Sequence, residues 1–365
     1  MYSTRGGSLE EPTTVEDHTM GASLVPYLAI KMHQEITARV YNAIVVLGSY
    51  NRSDPSIIFE GEKCDKPFNW QRPTARIVGD KLWIECFPGY DHNEHYARLI
   101  ASYLGILHRE GRIVTPPSNV SFIPSSCSDT RNALEATNLR ELPTEVDTVV
   151  LGLVHRLDRL TGTADWKGNG CFGWAVRQFN GRQVAFVGCR PSFWGDIAGE
   201  VVHHITSRRH RVREVLYFGK LGSLRNGIKP NTFLATGGRS YVRGQIVEWN
   251  NPLEASVTYK AADDVIFGDH ITVGSVLHET RDWLTGLPPA DFVDSEVGMM
   301  AQAAVRSGVD FGYLHIISDN VTEKYEQDLS NERIAGVLAR RARLYEVAQD
   351  VLEHHLTATP RVECG

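Results

Sequence analysis

The stretch GYLHIISDN, residues 312–320, runs from apolar residues that belong in a protein core directly into the polar triplet Ser-Asp-Asn. The apolar part predicts a buried strand, because short continuous apolar runs are typical of sheets that are covered on both faces. Ser, Asp and Asn favour turns through side-chain to backbone hydrogen bonds, so a turn alone would explain the triplet. The alternative is that a rigid strand holds the carboxyl group of Asp319 at its end.

The residues around this stretch alternate between predicted strands and helices. Strands are predicted at 148–156 and 214–224, near 233–248 and 265–277, and in a hairpin at 171–190, and helices at 195–210, 294–308 and 330–356. Such alternation predicts an α/β domain of three layers, with a central mixed sheet between two layers of helices. In sheets of this kind, ligands bind at the carboxyl ends of the strands. Asp319 is predicted to lie at such an end.

The first 145 residues form a smaller α/β pattern. Strands are predicted at 43–47 and 80–87 and a helix at 93–112, whereas the Pro- and Ser-rich stretch 115–132 predicts a long loop or linker. Residues 1–20 are polar and are predicted to be mobile. We therefore predict a mobile N-terminus at 1–20, an α/β module of unknown role at 21–145 and the three-layer domain at 146–365.

Composition excludes several classes of protein. The 365 residues carry a formal net charge of -6, so the chain has no overall attraction for nucleic acid or anionic lipid. No apolar run approaches the roughly 20 residues that a membrane-spanning helix needs. The six cysteines contain no Cys-x-x-Cys pair, which indicates reduced thiols. We expect a cytoplasmic protein with no nucleic-acid or membrane partner.

Two further segments place polar residues beside predicted strand ends. FVDSEVG, residues 292–298, puts Glu296 at the start of a helix, where the helix dipole by itself favours a carboxylate. FGKLGS, residues 218–223, places Lys220 between Gly219 and Gly222, where backbone N–H groups and an ammonium group can bind an anion. Each segment taken singly is also explained by a turn or a helix start without any function.

The order and spacing of GKLGSL, VDSE and ISDN resemble the nucleoside phosphorylase and nucleosidase superfamily, which includes purine nucleoside phosphorylase and methylthioadenosine/adenosylhomocysteine nucleosidase. The resemblance covers residues 147–355. It implies that Asp319 is the catalytic acid and that Glu296 binds the ribose. It also implies that Gly152 and Arg156, in GLVHR, bind phosphate after the first strand.

The sequence departs from the superfamily pattern at three positions. Ser295 stands where the family usually has a Met against the sugar, and Tyr217 stands where phosphorolytic members have an Arg. Lys220 replaces a hydroxyl residue just after Gly219, so one phosphate ligand is lost and another cation is gained. The resemblance thus leaves open whether the acceptor is phosphate, water or a substrate that carries its own anionic group. We expect an anion to bridge Arg156 and Lys220.

Two aromatic residues, Phe267 and Trp283, lie where family members stack the base, although core packing explains them equally well. The motif DHNEH, residues 91–95, has a spacing that would suit a metal ion. Capping of the following helix by Asp91 or Asn93 is the favoured interpretation, because no third distant ligand is evident. We expect no metal site.

The leading functional hypothesis is cleavage of the N-glycosidic bond of a purine nucleoside or a related nucleoside or nucleotide. A purine is favoured because pyrimidine-specific relatives generally lack the strand-end Asp. The alternatives are a non-catalytic nucleoside- or nucleotide-binding module and an enzyme of specialised metabolism that acts on an unusual nucleoside. We expect a homo-oligomer that needs no cofactor, with inorganic phosphate as co-substrate if the reaction is phosphorolysis.

Overall fold

The computed structural model describes residue 9 and residues 11–162, 165–192 and 194–358. Its first unit is a four-stranded sheet in the order β2-β3-β1-β4, with β2 antiparallel and the other strands parallel. The elements are α1 (Leu24–Ala29), α2 (Glu35–Ala38), β1 (Ala43–Gly48), β2 (Thr74–Val78), β3 (Lys81–Cys86), α3 (Tyr90–Arg109), β4 (Val120–Phe122) and α4 (Cys127–Glu135).

The second unit is built on an eleven-stranded mixed sheet within the described residues. Strands β7, β5, β8 and β15 lie side by side and parallel at its centre. The elements are β5 (Thr148–Gly152), α5 (Asp158–Thr161), β6 (Phe172–Phe179), β7 (Arg182–Cys189), α6 (Asp196–Arg208), β8 (Glu214–Ser223), β9 (Leu234–Thr236), β10 (Arg239–Val242), β11 (Gln245–Glu248), α7 (Glu254–Lys260), β12 (Val265–Phe267), β13 (His270–Thr272), α8 (Arg281–Thr285), β14 (Phe292–Asp294), α9 (Val297–Ser307), β15 (Asp310–Asn320) and α10 (Ala335–Thr357).

The central strands are apolar on both faces because helices cover both faces of the sheet. Successive side chains of a strand point to opposite faces. On β5, Val149 and Leu151 pack into the core shared with α6 and α9, whereas Val150 packs into the core shared with α7 and α10. The predicted fold class, a three-layer α/β domain with a central mixed sheet, is confirmed by this arrangement.

The predicted linker at 115–132 was wrong. Val120 and Phe122 are buried on one face of β4, which pairs with β1 and completes the first sheet. Ser126 and Asp129 then form a reciprocal capping box that begins α4. The Pro and Ser residues therefore separate short regular elements and do not form one long loop.

The described part of the predicted mobile N-terminus is packed against the second unit. His18 is fully buried, and its Nε2 lies 2.9 Å from the carbonyl oxygen of Val276. The backbone N–H of Thr19 donates to the carbonyl of Glu279 at 3.1 Å. Residues 1–8 and 10, which belong to the same prediction, lie outside the described residues.

The two units share an extensive interface. Val276 and Leu277 of the second unit belong to the core of the first. Phe68 of the first unit is buried against β7 of the second, and Asn69 donates from its backbone N–H to the carbonyl of Cys189 at 2.7 Å. The first unit therefore packs directly against the second.

Among the described residues, no helix combines the length and the apolar character that crossing a membrane requires.

The packing of Phe68 against Gly188 provides a test of this interface. A Cβ atom at residue 188 would overlap the Phe68 ring, so we expect Gly188→Ala to lower the free energy of unfolding by about 1–3 kcal/mol. Gly336→Ala is the control, because a Cβ there meets nothing within 4 Å, and it should leave stability unchanged or slightly raised. Chemical denaturation measures both variants, and equal stabilities would contradict the described contact.

Candidate active site

A cavity of about 280 Å³ lies at the carboxyl ends of β5, β8 and β15, and the first unit lines it from the other side. Both units contribute to its lining. The strand-end wall includes six residues of the second unit that the sequence singled out, Gly152, Gly219, Lys220, Ser295, Glu296 and Asp319. The structure therefore brings most of the predicted site residues to one place. Gly152, Lys220 and Asp319 meet there because β5, β8 and β15 are parallel, whereas Ser295 and Glu296 arrive from β14, which is antiparallel to β8.

Asp319 points into the cavity because β15 is irregular at its end. The pairing of β15 with β8 shifts register between Ile317 and Asp319, as in a β-bulge, which redirects the side chains that follow. Asp319 is only 9% exposed, and the Ser318 hydroxyl donates to its carboxyl group at 2.8 Å. Burial raises the pKa of Asp319 to about 6, and the carboxylate of Glu332 adds to the shift.

Glu296 also lines the cavity, and it does not cap its helix. The carboxylate of Asp294 accepts the backbone N–H groups of Glu296 and Val297, both at 3.0 Å, and so caps the start of α9. The Glu296 side chain makes no capping hydrogen bond. Burial, with the neighbouring charge of Asp294, holds the pKa of Glu296 well above its usual range. The helix-start explanation of this residue therefore applies to Asp294 instead.

Asp294 is itself held by two buried histidines that the sequence interpretation missed. His270 Nε2 lies 3.0 Å and His315 Nε2 lies 3.6 Å from its carboxylate oxygens. These histidines oppose the effect of burial and hold the pKa of Asp294 below its usual range, so the group is ionised. Both lie inside ordinary-looking strands, so no local signal in the sequence distinguishes them.

The two glycines of the predicted anion site are required by close packing. Gly152 has a φ of +102°, and a Cβ there would overlap the carbonyl oxygen of Phe218. A Cβ at Gly219 would lie 2.9 Å from His315 Nε2. The backbone can therefore approach the cavity closely at both positions.

The predicted pairing of Arg156 with Lys220 around an anion was wrong. The Arg156 side chain is exposed, does not line the cavity and lies over the ring of Tyr345, 5.7 Å from its centroid. The ammonium group of Lys220 forms an ion pair with Glu332, whose carboxylate also accepts from Arg341 at 2.7 Å. An acidic side chain of the chain itself thus provides the counter-charge for Lys220.

The structure does not place the predicted base-binding residues in the cavity. Phe267 is exposed at the end of β12, and Trp283 packs in a small apolar cluster with Val293. Aromatic side chains that do line the cavity are Tyr27, Tyr96, Phe172, Trp194, Tyr217 and Phe218. Tyr27 and Tyr96 belong to the first unit, and Trp194 precedes α6. These three residues lie far from the motifs in sequence, so the motifs did not indicate them.

The predicted capping by DHNEH was also wrong. Helix α3 begins at Tyr90 with Gly89 as its cap, and Asp91 instead forms an ion pair with Arg243 at 2.9 Å. His95 lines the cavity and stacks on Trp194, with 4.0 Å between ring centroids. Its Nδ1 forms a hydrogen bond with Ser275 Oγ at 2.8 Å. Across the described ranges, no group of three or more His, Cys, Asp or Glu side chains is arranged to hold a metal ion.

A further acid, Glu279, was not singled out from the sequence. It lines the cavity and is 6% exposed, and burial together with the charge of Asp319 holds its pKa well above the usual range. It lies in the irregular segment after β13, where no strand or helix periodicity marks it. The inner cavity therefore contains several buried carboxyl groups, and burial raises the pKa of both Glu279 and Glu296.

Comparison with known proteins gives a distant likeness. No family model matches the chain. The chain is 23% identical over 339 residues to a protein named oxidoreductase cns1 from Cordyceps militaris, and the match covers 80% of this chain and 41% of that protein. The chain thus spans about two fifths of the length of the curated relative that it matches.

Three solved structures are similar to part of the chain. A purine nucleoside phosphorylase from Schistosoma mansoni in complex with adenosine has 13% identity and a TM-score of 0.48, covering 64% of this chain and 97% of that one. A methylthioadenosine/adenosylhomocysteine nucleosidase from Colwellia psychrerythraea in complex with adenine has 14% identity and a TM-score of 0.45, covering 59% and 98%. The corresponding enzyme of Campylobacter jejuni has 12% identity and a TM-score of 0.44, covering 57% and 99%.

The raised pKa of Asp319 predicts how its contribution to stability depends on pH. The pKa of Asp319 is raised from 3.8 in the unfolded chain to about 6 in the folded protein. Protonation of Asp319 therefore stabilises the folded protein fully below about pH 4, and this stabilisation is lost as pH rises through about 6. Relative to wild type, Asp319→Asn should therefore gain up to about 3 kcal/mol in free energy of unfolding between about pH 4 and pH 7. Chemical denaturation at the two pH values measures the gain.

The matched control is Asp263→Asn, because Asp263 is exposed and lies outside the cavity lining. Its stability relative to wild type should be the same at both pH values. A pH-independent difference for Asp319→Asn would contradict a buried acid with a raised pKa at this position.

Proposed function

We propose that this protein cleaves the N-glycosidic bond of a purine nucleoside or nucleotide. The observation that carries the proposal is the presence of two buried acids, Asp319 and Glu296, in one cavity at the strand ends. Glycosidic cleavage develops negative charge on the leaving base and positive charge on the sugar, so it needs a proton donor and a group that holds the sugar. The two acids suit these two roles.

Asp319 is proposed as the proton donor. The bond between C1′ of the sugar and N9 of the purine breaks, its electron pair moves to the base, and Asp319 protonates N7. An oxygen of water or of hydrogen phosphate forms the new bond to C1′. The proton that the attacking water or hydrogen phosphate loses then restores Asp319. A pKa of about 6 supports this role, because a general acid works best when its pKa lies near the working pH.

Glu296 is proposed to bind the ribose hydroxyl groups. The buried carboxyl group of Glu296 can form hydrogen bonds with a pair of neighbouring hydroxyls. The buried negative charge of Asp294 next to it adds electrostatic stabilisation of positive charge on the sugar. The network of Asp294 with His270 and His315 holds this charge in place.

The role of Asp319 predicts the effect of its amide variant. Asp319→Asn keeps the shape of the side chain and removes the acid, so release of free purine should fall by roughly 10²–10⁴-fold. The measurement is chromatography of free base after incubation with a panel of purine nucleosides and nucleotides, with and without phosphate. Asp263→Asn should retain wild-type activity, and unchanged turnover in Asp319→Asn would remove Asp319 from the mechanism.

The role of Glu296 predicts a loss of activity without a loss of fold. Glu296→Gln should slow ribonucleoside cleavage by roughly 10-fold or more while the melting temperature changes little, because Asp294 supplies the helix cap. Glu254→Gln is the matched control, because Glu254 is an exposed acid in the first turn of α7. If Glu296→Gln and Glu254→Gln behave alike in activity, Glu296 does not bind the sugar.

A further inference from the structure

The first unit contributes four cationic side chains to the lining of the cavity. Lys31 follows α1, and Lys63, Lys66 and Arg72 lie on the segment between β1 and β2. All four are half-buried. We refer to these four residues as the basic cluster.

The basic cluster has no carboxylate partner in the described part of the chain. Lys31 lies over the ring of Tyr27, 5.1 Å from its centroid, and Arg72 donates from Nη1 to the backbone and side-chain oxygens of Asn69 at 3.2 Å. Glu332, which also lines the cavity, is already paired with Lys220 and Arg341. The cluster is therefore a concentration of positive charge that forms no ion pair of its own among the described residues, although the carboxylates of Glu332 and Asp65 offset part of the charge.

The electrostatics of the lysines agree with this geometry. Burial lowers the pKa of Lys31 and of Lys66 to about 7 and that of Lys63 to about 8. In each case the positive charge of Arg72 lowers the pKa further, so the four groups are close enough to repel one another. A bound anion would remove this repulsion and restore the charge of the lysines.

The segment that carries the cluster is fixed to the second unit. Phe68 is buried between β7 and the aromatic ring of Trp166, and the backbone N–H groups of Trp70 and Gln71 donate to the carbonyl of Arg190 at 3.0 Å. Lys66 and Arg72 flank these anchors in the sequence. The cations are thus held at the cavity by a packed segment, which is the condition for a preorganised binding site.

We propose that the basic cluster binds the phosphate groups at the 5′ end of a nucleotide, and that nucleoside 5′-phosphates are the substrate class. This inference rests on the proposed function, which puts the base and the sugar against Asp319 and Glu296. The cluster lines the same cavity from the first unit, so one ligand can contact both walls. Four cations match a phosphate chain, whose charge grows with each phosphate, better than they match a neutral nucleoside.

Binding measured without turnover tests the proposal. Isothermal titration of the Asp319→Asn protein should show adenosine and guanosine 5′-monophosphates binding at least about 10-fold more tightly than the nucleosides, and the di- and triphosphates more tightly still. The preference should weaken as salt is added, because the contacts are between charges. Equal affinity for nucleosides and nucleotides would overturn the proposal.

Variants of the cluster identify the residues responsible. Lys66→Ala and Arg72→Ala, each in the Asp319→Asn background, should reduce nucleotide affinity about 10-fold or more and leave nucleoside affinity unchanged, whereas Lys66→Arg should retain the preference. Lys81→Ala is the control, because Lys81 is an exposed lysine of the first unit outside the cavity lining. An unchanged preference in Lys66→Ala and Arg72→Ala would overturn the assignment.

Inorganic phosphate is the other source of the same chemistry. If it strengthens nucleoside binding in the protein with an intact cluster and not in Lys66→Ala, the cluster serves a free phosphate and the proposal is wrong. Release of base from wild-type protein is measured in parallel. Nucleotide binding that depends on the cluster, without release of base, would support the phosphate site and overturn the proposed cleavage. Release of base without a preference for nucleotides would support the cleavage and overturn the phosphate site.

Discussion

The parallel direction of β5, β8 and β15 is the constraint on which the rest of this structure depends. Parallel strands end at a single edge of the sheet, so residues distant in sequence meet there without any direct connection. Because both faces of these strands are covered by helices, the strands are largely apolar, and most of the polar residues of the site lie where the strands end. Asp319 lies at the end of β15, where the register shift turns it towards the cavity.

The packing of the first unit against this edge contributes to the electrostatic character of the site. An acid at an open sheet edge would be solvated and would keep its ordinary pKa. Here the first unit covers the edge, and the carboxyl groups of Asp319, Glu296 and Glu279 all have raised pKa values because of burial. Asp294 is the exception, since two buried histidines stabilise its charge. In one cavity, therefore, the pKa values of carboxyl groups are shifted in opposite directions, each by its own surroundings.

The two walls of the cavity differ in charge. The strand-end wall concentrates acids, whereas the first unit supplies Lys31, Lys63, Lys66 and Arg72. A ligand with a neutral sugar and an anionic end would complement both walls at once. The first unit is thus part of the site and contributes more than a cover for the sheet.

The sequence by itself determined the central elements of the second unit and the positions of its acids. Continuous apolar runs and polar strand ends are local features, so the pattern predicted β8, β15, the start of α9 and the cavity positions of Asp319, Glu296, Gly219 and Lys220. The hairpin predicted at 171–190 also rests on a local feature, because Asn180 and Gly181 form its turn and both adopt a positive φ.

Only the tertiary structure decided which side chains meet. Arg156 follows β5 as the motif requires, yet its side chain turns away to Tyr345, and Glu332 on a distant segment takes the place of an anion beside Lys220. Phe267 and Trp283 lie outside the cavity, while His95 and the basic cluster enter it from the first unit. The physical reason is that contacts between the two units depend on how their surfaces fit together. The spacing of apolar residues within one strand or helix does not show how those surfaces will fit.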